Sequence, residues 1–262
     1  MKKELKFYLN IMLNSKLLIG QNCLITGSNR GIGKSTLELF ASHGSDIIAH
    51  GRIETKEFSS FLINTEKKFK INVLPIFFDL SDVESIKIGL KSLINQKLKI
   101  DVLVNNAGIA HGSFFNMTSS QKLLEVFHVN FFSQILISQL VSKIMIKEKK
   151  GSIINIASIT GLEPLPGYLA YGSSKAALIH ATKILSSELA RFNIRVNAIA
   201  PGLTNTDMAQ QMESKAFENM VSRTSGNRLA SPEEISNAIL FFATDMSSFI
   251  TGQVLRVDGG YK

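Results

Sequence analysis

The sequence has a single cysteine, Cys23, among its 262 residues. An intramolecular disulfide is thereby excluded. A lone thiol inside an apolar run behaves as a small buried hydrophobe of a reducing compartment, so a cytoplasmic protein is expected. Apolar runs are short. None reaches the roughly 20 residues that a helix needs to span a bilayer, so no membrane partner is expected. Linkers, composition breaks, internal repeats and low-complexity tracts are also lacking. One domain over residues 18–262 is therefore expected, a length that suits a single α/β domain. His43, His50, His128 and His180 have no metal-ligand spacing with carboxylates or cysteines, which argues against a metal site.

Residues 1–17 are expected to be a loose extension. Lys2, Lys3 and Lys6 precede an apolar stretch from Phe7 to Leu13, as in a secretory signal. Asn10 interrupts that stretch and no small-residue cleavage site follows. The fold needs nothing before about Leu17, which makes Met12 a candidate start. The net charge is +8, and Lys147, Glu148, Lys149 and Lys150 form the densest basic stretch. Aromatic residues do not interleave with basic ones as a platform for nucleic acid requires, so no nucleic-acid partner is expected. Lysines at a helix end complement the helix dipole. An acidic carrier protein is the partner chemistry that such a patch leaves open.

What is present is organised around Thr26, Gly27, Ser28, Asn29, Arg30, Gly31, Ile32 and Gly33. The apolar residues Cys23, Leu24 and Ile25 before them read as a buried strand. Leu37, Leu39 and Phe40 after them lie among good helix formers. Strand, glycine turn and helix in that order hold a dinucleotide pyrophosphate: the turn lets backbone approach, and the helix N-terminus offers unpaired N–H groups. A Cβ at the glycines would block the turn or the approach.

Further strands are expected at about residues 45–52, 71–78, 100–104, 151–157, 194–199 and 253–257. Long helices are expected over about 119–147 and 169–191, and another opens at Ser231 and Pro232. Ser81, followed three residues on by Glu84, predicts a capping box after the third strand. Apolar strands alternating with helices predict an α/β, doubly wound, seven-stranded parallel sheet covered on both faces. Ligands on such a sheet bind beyond the carboxyl ends of the strands. Residues 26–33, His50, Gly51, Arg52, Asp79, Leu80, Asn105, Asn106, Ala107, Gly108, Ser158, Pro201 and Gly202 stand there.

Tyr171 and Lys175 are four residues apart at the start of a helix and share one face. A tyrosine with a pKa of about 10 is a poor acid or base at neutral pH. A nearby ammonium is expected to favour the phenolate and lower that value. Tyr171 then becomes a general acid for a carbonyl oxygen or a general base for an alcohol. Ser158, at the end of the preceding strand, supplies a hydroxyl to the same oxygen.

Taken together these motifs resemble the short-chain dehydrogenase/reductase family, of the type that includes the 3-oxoacyl-[acyl-carrier-protein] reductases. The resemblance runs from Leu18 to Tyr261. It rests on residues 26–33, Asp79 with Leu80, residues 105–108, Asn130, Ser158, Tyr171 with Lys175, Pro201 with Gly202, Thr204 and Thr206, and the closing Asp258, Gly259 and Gly260. It implies a Rossmann fold and an oxidoreductase that reduces a ketone to a secondary alcohol, on a small-molecule carbonyl or a carrier-bound acyl chain. Sugar, polyol and steroid dehydrogenases share much of the pattern, and a silent dinucleotide-binding protein is the reading of another class. The implied roles are proton transfer for Tyr171, ribose binding and tuning of Tyr171 for Lys175, polarisation of the substrate oxygen for Ser158, and a water held by Asn130. Asn106, Ala107 and Gly108 line the cofactor, Asp79 and Leu80 meet its adenine, and Pro201, Gly202 and Thr204 meet its nicotinamide end. The resemblance further implies that residues 203 to about 227 form a mobile lid. The resemblance also implies a homotetramer, with Val126, Phe127, Phe131, Phe132, Ile135, Leu136, Ala176, Ala177, Leu178 and Ala181 on its interface helices.

NADP is the expected cofactor, with NADPH preferred over NADH. An NAD site places a carboxylate at the end of the second strand to meet the ribose hydroxyl. Gly51 stands there instead, with Arg52 beside it and Arg30 in the glycine turn.

Overall fold

A computed structural model describes residues 16–210 and 214–262. Seven strands form one sheet: β1 (Asn22–Ile25), β2 (Asp46–Gly51), β3 (Val73–Phe77), β4 (Val102–Asn105), β5 (Gly151–Ile156), β6 (Ile194–Pro201) and β7 (Val254–Val257). Their order is β3-β2-β1-β4-β5-β6-β7, and every neighbouring pair is parallel. The expected fold class is borne out. The chain's direction across the sheet reverses between β1 and β4, so the ligand crevice of a doubly wound sheet opens above that pair.

The helices are α1 (Gly31–Ser42), α2 (Lys56–Phe69), α3 (Val83–Asn95), α4 (Ser120–Phe127), α5 (Ser133–Glu148), α6 (Leu169–Leu189), α7 (Asp207–Gln210), α8 (Ser214–Ser222) and α9 (Pro232–Ala243). Alternation along β1 shows why both sheet faces need cover. Cys23 and Ile25 enter one core with Leu37 and Phe40 of α1 and Ile235 and Ile239 of α9. Leu24, between them, enters the other with Ile86 of α3 and Ile137 and Val141 of α5. Leu18 is buried and its N–H donates to His43 O at 3.0 Å, and Leu17 packs against the same core. The extension through residue 15, and Met12 as a start, lie outside the described residues.

Three expectations change. Ser231 does form its capping box with Glu234, but Ser81 caps nothing. The Asp82 carboxylate accepts from the N–H groups of Glu84 (2.9 Å) and Ser85 (3.2 Å), while Ser81 turns back to Asp79. A carboxylate beside the serine is the better acceptor for a positive helix end. Next, α4 and α5 form one helical run from Ser120 to Glu148 that is long and apolar enough, by length and composition alone, to cross a membrane. Half of its most apolar stretch is buried inside the fold, because that face covers β4 and β5. Finally, Val126 and Leu178 of the expected interface are fully buried within the chain, whereas Phe132 is exposed.

Candidate functional site

Beyond the strand ends lies a cleft of about 1130 Å³. Gly27, Asn29, Arg30, Gly31, Ile32, Arg52, Asp79, Leu80, Asn106, Ala107 and Gly108 line one stretch of it. Ser158, Tyr171, Lys175, Pro201, Gly202 and Thr204 line the other. Residues scattered over the chain thus converge as expected. Ser28, Gly33 and Asn130 do not line the cleft; they stand behind its wall and shape it.

The glycine turn is built for close approach. Gly27 (φ +65°) and Gly31 (φ +54°) occupy the left-handed region, which favours glycine. A Cβ on Gly33 would lie 2.5 Å from Asn106 Nδ2 and against the Gly27 carbonyl. Asn106 donates to the carbonyls of Thr26 (2.9 Å) and Gly27 (3.1 Å). The Thr26 hydroxyl accepts from the N–H groups of Asn106 (2.9 Å) and Ala107 (3.0 Å). These bonds lock the ends of β1 and β4 together. The first turn of α1 carries no acidic residue and its N-cap makes no side-chain bond, so its N–H groups are open to an anion. The cradle therefore fits a dinucleotide pyrophosphate.

At the far end of β2, Gly51 leaves no acid to meet a ribose hydroxyl, and Phe58 fills the space a side chain there would take: a Cβ would lie 3.1 Å from its ring. Arg52 is exposed at the rim. Arg30 pairs with Asp207 of α7 at 3.3 Å, across the cleft mouth. Burial works against the Asp79 charge, but two bonds from Ser81, with Arg52 and His50 nearby, hold its carboxyl below the ordinary range.

Tyr171 and Lys175 stand one turn apart on α6, with Ser158 at the end of the loop from β5. Tyr171 and Ser158 line the same part of the cleft, close enough for the Ser158 hydroxyl to act on the phenol. Thr160 holds Ser158 in turn, through its N–H (3.2 Å) and its hydroxyl (3.0 Å). Lys175 Nζ donates to Ile156 O at 2.7 Å and lies 5.8 Å from the Tyr171 ring centroid. Burial pushes the Lys175 ammonium down to about 8. Burial also pushes the Tyr171 phenol above its ordinary value; the Ser158 hydroxyl offsets part of that rise and Tyr168 adds to it. This corrects the expectation that Lys175 lowers the tyrosine. In this state the phenol keeps its proton at neutral pH and is a donor rather than a base.

Asn130 sits where the long helix is interrupted by a π turn, His128–Phe132, a wide turn common at functional sites. Its Oδ1 accepts from Ile109 N–H and its Nδ2 donates to Ile109 O, both at 2.9 Å, and to Ser174 Oγ at 3.2 Å. Asn130 thus clamps the loop after β4 beside Lys175. Thr204 bonds back to Gly202 O at 3.1 Å, and Gly202 packs so tightly on Asp258 that a Cβ would lie 2.8 Å from its Cα. One cleft residue, Tyr168, carries no sequence signal that singles it out. Tyr168 lines the cleft with its ring 6.5 Å from that of Tyr171. His50, which the sequence places at the ligand end of β2, is buried against the glycine turn and bonds to it. Among the described residues no group of three or more His, Cys, Asp or Glu side chains converges on a metal site.

A family profile described as enoyl-(acyl carrier protein) reductase matches residues 27–262. The chain belongs to the short-chain dehydrogenase/reductase family. It is 40% identical to the 3-oxoacyl-[acyl-carrier-protein] reductase of Thermotoga maritima over 93% of this chain and 98% of that protein. It is 36% identical to an L-xylulose reductase of Caenorhabditis elegans over 91% of this chain and 94% of that protein. A solved gluconate 5-dehydrogenase of Burkholderia cenocepacia, in complex with NADP and tartrate, is similar with a TM-score of 0.88 and 29% identity, covering 95% of this chain and 98% of that one.

Lys175 gives this site a measurable cost. No carboxylate pairs with it among the described ion pairs, and it is 4% exposed. A fall from 10.5 to about 8 corresponds to on the order of 3 kcal/mol against the folded state while the group is charged. The penalty is complete below about pH 8 and fades as pH rises towards 10.5. Lys175→Met should therefore melt higher than the wild type without cofactor at pH 7, and that advantage should shrink by pH 9.5. A difference in Tm that does not change with pH would refute the burial effect.

Proposed function

We propose that the chain is an NADPH-dependent reductase that converts a ketone to a secondary alcohol, with a 3-oxoacyl thioester as substrate. The observation that carries this reading is the side-by-side placement of the glycine cradle and the Ser158, Tyr171 and Lys175 group in one cleft. The sequence kinship to the 3-oxoacyl-[acyl-carrier-protein] reductase supports the thioester, and a carrier protein is its proposed bearer. Within one chain the basic run at Lys147–Lys150 precedes β5, so it lies at the opposite sheet end from the cleft and does not line it. A sugar or polyol substrate is the second reading, favoured by the likeness to L-xylulose reductase and gluconate 5-dehydrogenase. We place the enzyme in the cytoplasm, as a single catalytic domain over residues 18–262. We also propose a homotetramer, on the exposed apolar residues Leu124 on α4, Phe132 in the π turn that follows it and Ile184 on α6. Residues 203–227, which include α7 and α8, are its proposed lid.

The glycine turn, Asn106, Gly108 and Thr204 would hold the dinucleotide, whose nicotinamide would supply the hydride for the carbonyl carbon. Ser158 and Tyr171 hold the carbonyl oxygen between their hydroxyls. As negative charge grows on that oxygen, Tyr171 transfers its proton to it. The raised pKa of the phenol keeps that proton available at neutral pH. The Lys175 ammonium, itself buried, stabilises the phenolate left behind until solvent reprotonates it. Ile156 O and the Asn130 clamp fix where the ammonium sits.

Two experiments test the reading. Tyr171→Phe should lose roughly 10²–10⁴-fold in kcat, the usual worth of general acid catalysis, and still bind NADPH. Retention of most of the rate would remove Tyr171 from proton transfer. Arg52→Ala should lower kcat/KM for NADPH and leave NADH unchanged, because only NADPH carries the 2′-phosphate. One charged hydrogen bond of about 1.5–3 kcal/mol corresponds to roughly 10- to 150-fold. A wild type that uses both cofactors equally would contradict the reading of the β2 end.

A further inference from the structure

We propose that His50 is a positioning residue for the phosphate-binding turn: its unprotonated Nδ1 takes the Gly27 N–H and holds the turn open to a pyrophosphate. This rests on the reading of that turn as the NADPH site. The His50 side chain is 1% exposed, at the carboxyl end of β2. Gly27 N–H donates to Nδ1 at 3.1 Å. On the other side of the ring, Nε2 lies 2.9 Å from Phe78 O, and the ring sits on that of Phe78 with centroids 3.9 Å apart. The His50 carbonyl also accepts from Ser28, through its N–H at 2.9 Å and its hydroxyl at 3.2 Å. One residue thus ties the ends of β1 and β2 and the chain after β3.

The partners decide the protonation state. An N–H can only donate, so Nδ1 must be bare; a carbonyl can only accept, so Nε2 must carry the proton. Burial favours the neutral ring, pushing it down to about 4 even though the Phe78 bond and Asp79 oppose the fall. Gly27 is in the left-handed region, so its peptide orientation is not set by ordinary backbone preference. The bond to His50 turns that N–H into the protein, which leaves the first N–H groups of α1 to face the ligand.

A matched pair of variants separates the two ring bonds. The Asn amide oxygen occupies the place of Nδ1, so His50→Asn keeps the acceptor for Gly27 and loses the bond to Phe78. The Gln amide nitrogen reaches the place of Nε2, so His50→Gln keeps Phe78 and leaves Gly27 unpaired. NADPH affinity is read by fluorescence titration, with kcat and the ketone KM at saturating NADPH. The proposal expects the Asn variant to stay near the wild-type Kd. It expects the Gln variant to weaken it by roughly 5- to 10-fold, the scale of one lost hydrogen bond, with kcat and the ketone KM unchanged. Equal losses in both variants, or a fall in Tm with no change in Kd, would overturn it. The ring nitrogens of the wild type give a second readout by ¹⁵N shifts: a bare Nδ1 and a protonated Nε2 from pH 6 to 8 are expected, and a proton on Nδ1 would overturn the proposal. A wild type that binds no NADPH would instead overturn the reading of the turn itself.

Discussion

Position 33 has no room for a side chain. A Cβ there would run into the Gly27 carbonyl and the Asn106 amide, because the first turn of α1 lies directly on the end of β1 where β4 meets it. This close approach is the constraint on which the rest of the site depends. It aims the helix N-terminus into the crevice between β1 and β4, where a doubly wound sheet offers its one natural opening. It also brings Asn106 within reach of two carbonyls of the glycine turn, so the strand ends cannot drift apart. The loop leaving Asn106 then carries Gly108 past Asn130 and Lys175: a Cβ on Gly108 would lie 3.0 Å from Asn130 Oδ1 and 3.5 Å from Lys175 Nζ. Cradle and acid–base group are thus joined by backbone that has no slack.

The site is held against the grain of stability. Lys175 is a buried ammonium whose bonded partner is a carbonyl rather than a carboxylate. Tyr171 is kept protonated by the same burial that would discharge the lysine. Each group alone is poorly placed for folding. Together they supply a proton donor and, one helical turn away, a buried positive charge to offset the phenolate it leaves.

Much of this was legible in the sequence because it depends on short local patterns. The glycine turn, the seven apolar strands and the Tyr171 and Lys175 spacing each carry their own signal, and residues at strand ends must meet once the sheet is parallel. Properties set by distant packing were not legible. The π turn at Asn130 leaves the helical pattern of residues 120–148 unbroken. The choice of Asp82 over Ser81 as a cap depends on Asp79 claiming the serine. The direction of the Tyr171 shift depends on how deeply the phenol is buried, which spacing along a helix does not report. The place of His50 at a strand end was legible, but only the meeting of β1, β2 and the chain after β3 gives it partners on both sides of its ring.

The central claim is that this cleft reduces a 3-oxoacyl thioester with NADPH. Its most direct test is kcat/KM with NADPH for an acetoacetyl thioester, set against L-xylulose and 5-ketogluconate in the same assay. The thioester should be the best of the three by at least an order of magnitude. Higher efficiency with either sugar, or no oxidation of NADPH with any of them, would contradict it.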